Sequence, residues 1–235
     1  MQYEKLVAPT IEELFESKMQ VSILSGELAI GERLPSEREL AEMMGISKSA
    51  VHNGLKRLER AGFVRIEPRQ AVYVEDWENK GGLETLTALL RSNVFRLEPD
   101  NLRALIAIRE IIESAAMANL AQNHSNADIL HLRSLALEIR DGGRSQPPMS
   151  PEEAGERAYD FSHFICASGG NTFSSLIMNA FKPFTIRLWI EWIRQIGLEQ
   201  AYIYLDKTAV CLRDGDGAAA AEIVHNYNLD FLAHF

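Results

Sequence analysis

Three groups of residues have types and spacings that can do chemistry. Between 48 and 56, Lys48, Ser49, His52, Asn53 and Lys56 recur three and four apart, so a helix puts them on one face and Val51, Leu55 and Leu58 on the other. A helix of this kind, entering N-terminus first, suits the major groove of a duplex. Short polar side chains reach base edges while lysines and backbone amides meet phosphates. The second group centres on Arg109, which stands among Leu105, Ile108, Ile112 and Ala116 on a run otherwise suited to a core. A buried guanidinium demands an anion, either a ligand carboxylate or phosphate, or Glu113 one turn on. In the third, Asp160 and His163 lie three apart, with His225 further on, and these types can hold a divalent metal. The same spacing suits an ordinary hydrogen-bonded couple, and a metal site needs a full ligand set, so the favoured expectation is no metal. Nothing resembles a nucleophile motif, a P-loop or a dinucleotide fingerprint, so neither catalytic residues nor a cofactor is expected.

The elements that must position the first group are legible around it. From Thr10, the residues Ile11, Leu14, Phe15, Met19 and Ile23 keep helical spacing until Ser25 and Gly26. Ser36 and Glu39 have capping-box spacing and open a second helix, which runs to about Met44, with Gly45 supplying a positive φ at the turn. Ser47 caps a third helix through Ala61, with Gly62 as its stop. Ala41 is small where the second and third helices cross, and Leu40, Met44, Ile46, Leu55 and Leu58 fill the interface. Phe63, Val64 and Ile66, then Ala71, Val72 and Val74, are strand-rich runs around Pro68, Arg69 and Gln70, the pattern of a wing.

Charge supports a polyanion-facing surface here and nowhere else. The chain of 235 residues carries 33 acidic and 24 basic groups, a net charge of −9. Yet between Gly45 and Val74 six basic groups (Lys48, Lys56, Arg57, Arg60, Arg65, Arg69) face only Glu59 and Glu67. Hydrophobic residues at 46% rule out a disordered chain. Glutamates at 4, 12, 13 and 16 argue against a secretory signal. The uncharged stretch Phe161 to Phe181 holds too many polar groups to span a bilayer, and is read as two helices meeting at Gly169 and Gly170. With only Cys166 and Cys211, and no CxxC, a reducing cytoplasm is the expected location.

After Asp76 the strand signal vanishes. WENKGG at 77–82 is a polar connector, and helical periodicity then continues with breaks at 123–127, 141–150, 169–171, 196–198 and 214–217. The expected fold is therefore mainly α. A winged helix-turn-helix occupies 1–76, a linker 77–82, and an all-α bundle of six or seven helices 83–235.

The stretch SGELAIGERLPSERELAEMMGISKSAVHNGLKRLERAGFV, Ser25 to Val64, resembles the winged helix-turn-helix of the GntR family of bacterial transcription regulators. The resemblance implies that Arg38, in the PSERE motif, contacts phosphate and base edges, and that Ser47, Lys48, Ser49 and Ala50 begin the recognition helix. The family usually has Arg where Lys48 and His52 stand. Neither replaces an Arg fork that reads guanine with two hydrogen bonds, so a different operator is implied. PRQA stands where the wing tip is commonly Gly-rich, making Arg69 the expected wing contact. Arg109 with Glu113 (REIIE), FSHFICASGGN ending at Asn171, and LIMNAFKPFTIR ending at Arg187 resemble the helical effector domain of the FadR-like branch. The last two passages and WENKGGLETL are similar to the fatty-acyl-CoA-responsive FadR proteins. Most relatives in this branch hold a divalent metal through an Asp and a His four apart plus two later His. Ala158 and Ser162 fall at the first two positions, and the later two fall near Asp206 and Leu229, so at most one ligand survives.

Together these observations imply a cytoplasmic, homodimeric, ligand-responsive transcription regulator that binds a palindromic double-stranded DNA operator, with no membrane association and no enzymatic activity. Expected DNA contacts are Arg38, Ser47, Lys48, Ser49, Ala50, His52, Asn53 and Arg69. Expected effector contacts, for an acyl-CoA or a small organic acid, are Arg109, Arg187, Tyr202, Tyr204 and Tyr227. Asn228 and Phe231 stand where the acyl-CoA proteins use small residues, and this bulk reshapes the expected pocket. Trp189 and Trp192 are candidates for core or dimer surface. Two alternatives stay open: an all-helical metal-dependent enzyme or carboxylate sensor using Asp160, His163 and His225, and a protein-interaction module whose helix-turn-helix has lost DNA binding.

Overall fold

A computed structural model describes residues 9–67, 71–91, 99–169 and 171–233. The chain divides into two compact units, Met1–Arg96 and Leu97–Phe235.

In the first unit, α1 (Ile11–Leu24) starts at a capping box in which Thr10 and Glu13 satisfy each other's backbone amides. It buries Phe15, Met19 and Ile23 against α3. Ile11 and Leu14, expected on the same face, are exposed. Ile11 lies a turn before the point where the Phe15 ring meets Gly54, and Leu14 is turned about 100° from Phe15. The second helix, α2 (Glu37–Met44), opens with the Ser36–Glu39 capping box and closes at Gly45, whose φ of 65° is the left-handed region a side chain resists. The third, α3 (Lys48–Arg60), is capped by Ser47 and buries Val51, Leu55 and Leu58 as the spacing predicts. Its Gly54 is a close-approach position, because a Cβ there would enter the Phe15 ring.

The strands β1 (Val64–Glu67) and β2 (Ala71–Val74) pair antiparallel, Val64 opposite Val74 and Ile66 opposite Val72. Contacts that tie this hairpin to the rest of the unit include Ile66 N–H donating to Glu59 Oε1 of α3 at 3.0 Å and Leu34 N–H, in the loop before α2, donating to the Val72 carbonyl at 2.8 Å.

The stretch read as a polar connector carries α4 (Trp77–Lys80), capped by Asp76, and is followed by α5 (Leu83–Arg91). Both belong to the first unit. Trp77 and Ala88 pack on its core, and the Thr85 hydroxyl donates to the Ala61 carbonyl at 2.7 Å.

The second unit holds α6 (Pro99–Asn123), α7 (Asn126–Arg144), α8 (Pro151–Ser168), α9 (Thr172–Arg213) and α10 (Gly217–Leu232). Capping boxes at Ser125–Asp128 and Ser150–Glu153 start α7 and α8, the latter with Pro151 in its first turn. α9 is two helices end to end, broken at Gly197, where φ 80° and ψ 164° are non-helical. Beyond residue 82 the described residues thus form six helices, of which α5 joins the first unit and the other five make the bundle. No described helix is long and apolar enough to cross a membrane.

Candidate DNA interface and effector site

The outer face of α3 is clear of the core of its own unit. Lys48, Ser49, His52, Asn53 and Lys56 are all exposed, while Val51, Gly54, Leu55 and Leu58 anchor the opposite face. The Ser47 hydroxyl accepts the Ala50 amide at 3.1 Å and lies 3.0 Å from the Ser49 hydroxyl, which fixes the start of the helix. Ala50 departs from the expected contact set. Its methyl is 4 % exposed and its N–H is taken by Ser47, so it supports the surface without facing it. Arg38 projects into solvent from α2, with Glu42 3.9 Å from its Nε. Arg69 lies outside the described residues.

The local positive charge is more nearly balanced than the sequence count implies, because acids from other elements reach in. Glu16 of α1 pairs with Arg57 at 3.6 Å and Glu37 of α2 with Lys48 at 4.0 Å, in addition to the two acids already counted, Glu59 with Lys56 at 3.0 Å and Glu67 with Arg65. Exposed pairs of this kind are worth at most about 1 kcal/mol. A phosphate can therefore take over the cation at little cost. Glu37, which the sequence reading passed over, also accepts His52 Nδ1 at 2.7 Å. Its only signal in the sequence was its place in the PSERE motif beside Arg38.

In the helical unit, α6 carries a buried ion pair. Arg109 and Glu113 are 2 % and 1 % exposed, with Arg109 Nε 3.6 Å from Glu113 Oε2. Arg109 also donates to Asn228 Oδ1 of α10 at 3.3 Å. The pairing is incomplete, since Arg109 Nε and Nη1, Glu113 Oε1 and the nearby Trp189 Nε1 are buried without a hydrogen-bond partner. Burial pushes the Glu113 carboxyl above the usual carboxylate range, opposed by Arg109 and a hydrogen bond from Ser162. A small cavity of about 10 Å³ adjoins the pair, walled by Met117, Phe161, Ile165, Leu205 and Val224, with Ser162, Trp189, Tyr204 and Thr208 as its other polar groups. That is room for about one water molecule.

Beside it Trp189, Trp192, Tyr204 and Tyr227 form an aromatic cluster, with Trp192 and Tyr227 ring centroids 3.8 Å apart. Burial raises both phenol pKa values, and Arg109 partly offsets this at Tyr227.

The expected effector residues separate. Arg109, Tyr204 and Tyr227 come together. Tyr202 lies off the cavity wall, with the Arg140 guanidinium 5.4 Å above its ring. Arg187 also lies off that wall, half-buried, with Nε and Nη2 unpartnered and its pKa lowered by burial. Trp189, Ser162, Thr208 and Asn228 join the site. Asn228 was legible only as bulk near the chain end, because its partner is 119 residues away.

The metal positions implied by the family resemblance do not fit a metal. Ala158 is buried, Ser162 faces Glu113, Asp206 is bonded to Arg133 at 3.0 Å, and Leu229 is exposed. The displaced set does not converge either. Asp160 pairs with Arg157 at 3.2 Å, His163 stacks on Tyr159, and His225 Nδ1 lies 2.7 Å from Glu110. Among the described residues no three His, Cys, Asp or Glu form a group that could hold a metal ion.

The chain is similar to known proteins in two stretches. Residues 15–74 match the family described as bacterial regulatory proteins, gntR family, and residues 104–229 match the FCD domain. The HTH-type transcriptional regulator Mce2R of Mycobacterium tuberculosis is 32% identical over 171 residues, covering 73% of this chain and 68% of that protein. A fatty acid metabolism regulator protein of Shewanella frigidimarina is 27% identical, covering 68% of this chain and 63% of that protein. Among solved structures, that of Lar, described as controlling expression of the Listeria monocytogenes agr system, superposes with a TM-score of 0.65 at 16% identity, covering 97% of each chain. This last likeness concerns the fold.

Proposed function

The chain belongs to the gntR family of bacterial transcription regulators, with a C-terminal FCD effector domain, and from that premise we propose that it binds a palindromic operator as a homodimer and releases or grips it in response to an anionic effector. The observation that carries the reading is the outward face of α3, five polar residues held clear of the core by a capped helix start. One recognition helix makes too few contacts for useful specificity, whereas two half-sites multiply them. The proposed contacts are Arg38, Ser47, Lys48, Ser49, His52, Asn53 and Arg69.

A stripe on α6 supports the dimer. Ala104, Ile108, Ile111, Ala115 and Ala118 are all exposed, at spacings of four and three that form a narrow seam centred on Ile111. Two antiparallel copies crossing at Ile111 would set Ala104 against Ala118 and bring Ile108 beside Ala115, the self-complementary arrangement of a two-fold interface.

The effector reading rests on the orphaned donors of Arg109, which suit a carboxylate or phosphate. The FadR likeness and the name of the Shewanella relative suggest an acyl-CoA, while a cavity with room for about one water needs to widen less for a small organic acid. Either must open it. Thermal shift with acyl-CoAs and small organic acids separates the two, because a ligand that prefers the native fold raises the melting temperature. For DNA, gel shifts on a selected operator should weaken steeply with salt. Lys48→Ala or Arg38→Ala should lose affinity and flatten the log–log salt slope by about 0.9 for each phosphate that is no longer neutralised. Variants that bind as wild type remove the assigned contacts.

A further inference from the structure

Glu37 sits between two residues of the recognition helix, with Oε1 2.7 Å from His52 Nδ1 and Oε2 4.0 Å from Lys48 Nζ. A carboxylate only accepts hydrogen bonds, so the proton in the short contact belongs to Nδ1. That fixes the neutral imidazole as the Nδ1–H tautomer and leaves Nε2 with a bare lone pair. The His52 side chain is 53 % exposed on the face of α3 that is free of the core, and Nε2 has no partner among the described residues. Nε2 is thus the ring atom offered to a duplex. Neutral, it accepts a hydrogen bond. Protonated, it donates one.

The major-groove edge distinguishes these two states. Adenine N6 and cytosine N4 carry amino donors, whereas guanine O6 and N7, adenine N7 and thymine O4 accept, so only guanine and thymine are closed to the neutral ring. We propose that Glu37 is a positioning residue that makes His52 a proton-dependent base reader, confined to the amino groups of adenine or cytosine when neutral and able to take guanine or thymine only when protonated. This rests on the DNA-binding reading above.

The charged groups on the two helices that carry the pair act in both directions. Glu37 favours the imidazolium. Lys48 and Lys56, one turn on either side of His52, and Arg38 on α2 oppose it, although Lys56 is paired with Glu59 and Arg38 with Glu42. Histidine as a residue type changes charge between about pH 5 and 8, which sets the pH values of the test.

The test is selection from a random duplex pool by the full chain at pH 6 and pH 8. Wild type should yield a motif in which one symmetric base position changes preference between the two pH values. The change should be roughly five-fold or more in relative affinity, the size of a single base mismatch. His52→Ala should make that position alone degenerate at both pH values and keep the rest of the motif. Glu37→Gln keeps an acceptor for Nδ1–H but removes the charge that favours the imidazolium. It should keep the pH 8 preference and weaken the change at pH 6, whereas a purely structural Glu37 would alter affinity without touching the pH response. An enriched motif identical at both pH values, or His52→Ala selecting the wild-type motif, overturns the proposal and leaves the regulator reading intact. A pool that wild type fails to enrich at either pH overturns both.

Discussion

Replacing Arg109 by Met tests what the buried pair on α6 does. Glu113, 1 % exposed, would lose the guanidinium 3.6 Å away and keep only the Ser162 hydroxyl as a favourable neighbour. Removing one partner of a buried pair costs about 3–5 kcal/mol. The carboxyl can escape part of that cost by taking a proton, and its pKa is already raised in the wild type. The sign follows from proton counting. Above the ordinary glutamate pKa of about 4.3 the unfolded chain has released this proton while the folded one retains it, so stability falls as pH rises through Glu113's elevated pKa. The slope is at most about 1.4 kcal/mol per pH unit, and the penalty of Arg109→Met should be smaller at pH 5 than at pH 8. The double change Arg109→Met with Glu113→Leu removes both charges and fills the space with apolar groups. It should fold at least as stably as wild type, or more stably by about 1–4 kcal/mol. Urea denaturation followed by tryptophan fluorescence in a Trp77→Phe background reads this, because the remaining Trp189 and Trp192 lie in the bundle. The reasoning fails if the single variant loses less than about 1 kcal/mol at pH 8, or if the double variant is as unstable as the single one.

Three further outcomes are expected. Gly54→Ala should destabilise the first unit by about 1–3 kcal/mol by driving a methyl into the Phe15 ring, with recovery when Phe15 is shortened to Leu; thermal melts of the three proteins decide it. Ile111→Glu at the centre of the α6 stripe should turn a dimer into a monomer in sedimentation without loss of helix content, and a dimer that persists places the interface elsewhere. Iodoacetamide should alkylate Cys211 before Cys166 in the native chain and both in urea, read by intact mass. Cys166 is fully buried, with its thiol pKa pushed well up by desolvation, whereas Cys211 is partly open.

The N-terminal unit was readable because its signals are local. Ser36 with Glu39, Gly45, and Ser47 with Ala50 are contacts within a few residues, and they appear where capping chemistry puts them. The inward face of α3 followed from period alone. The face of α1 did so only in part, since which of Ile11, Leu14 and Phe15 is covered depends on where α3 crosses. The connector reading of 77–82 used polarity, yet Trp77 lies within that stretch and its ring, 6.5 Å from Phe63, belongs to the first core. In the bundle the breaks were visible and the facings were not. Gly197 interrupts α9, so the helical phase set by Trp189 and Trp192 does not carry through to Tyr202 and Tyr204. Two residues apart on a helix is about 200° of rotation, which is why one tyrosine walls the cavity and the other lies under Arg140.

What stayed hidden is the set of unmet hydrogen bonds around Arg109. A guanidinium has five N–H donors. The sequence shows Glu113 one turn from Arg109 and invites the conclusion that the pair is complete. The fold shows a contact of 3.6 Å on one side, Asn228 on the other, and Nε and Nη1 still bare in a place water barely reaches. An apolar pair of the same volume would hold these helices together at least as well. Stability therefore gives no reason for a half-satisfied ion pair at the centre of the bundle. A ligand that brings the missing acceptor does, because its binding would complete the hydrogen bonds of α6 and α10 together and favour the arrangement of helices that holds it.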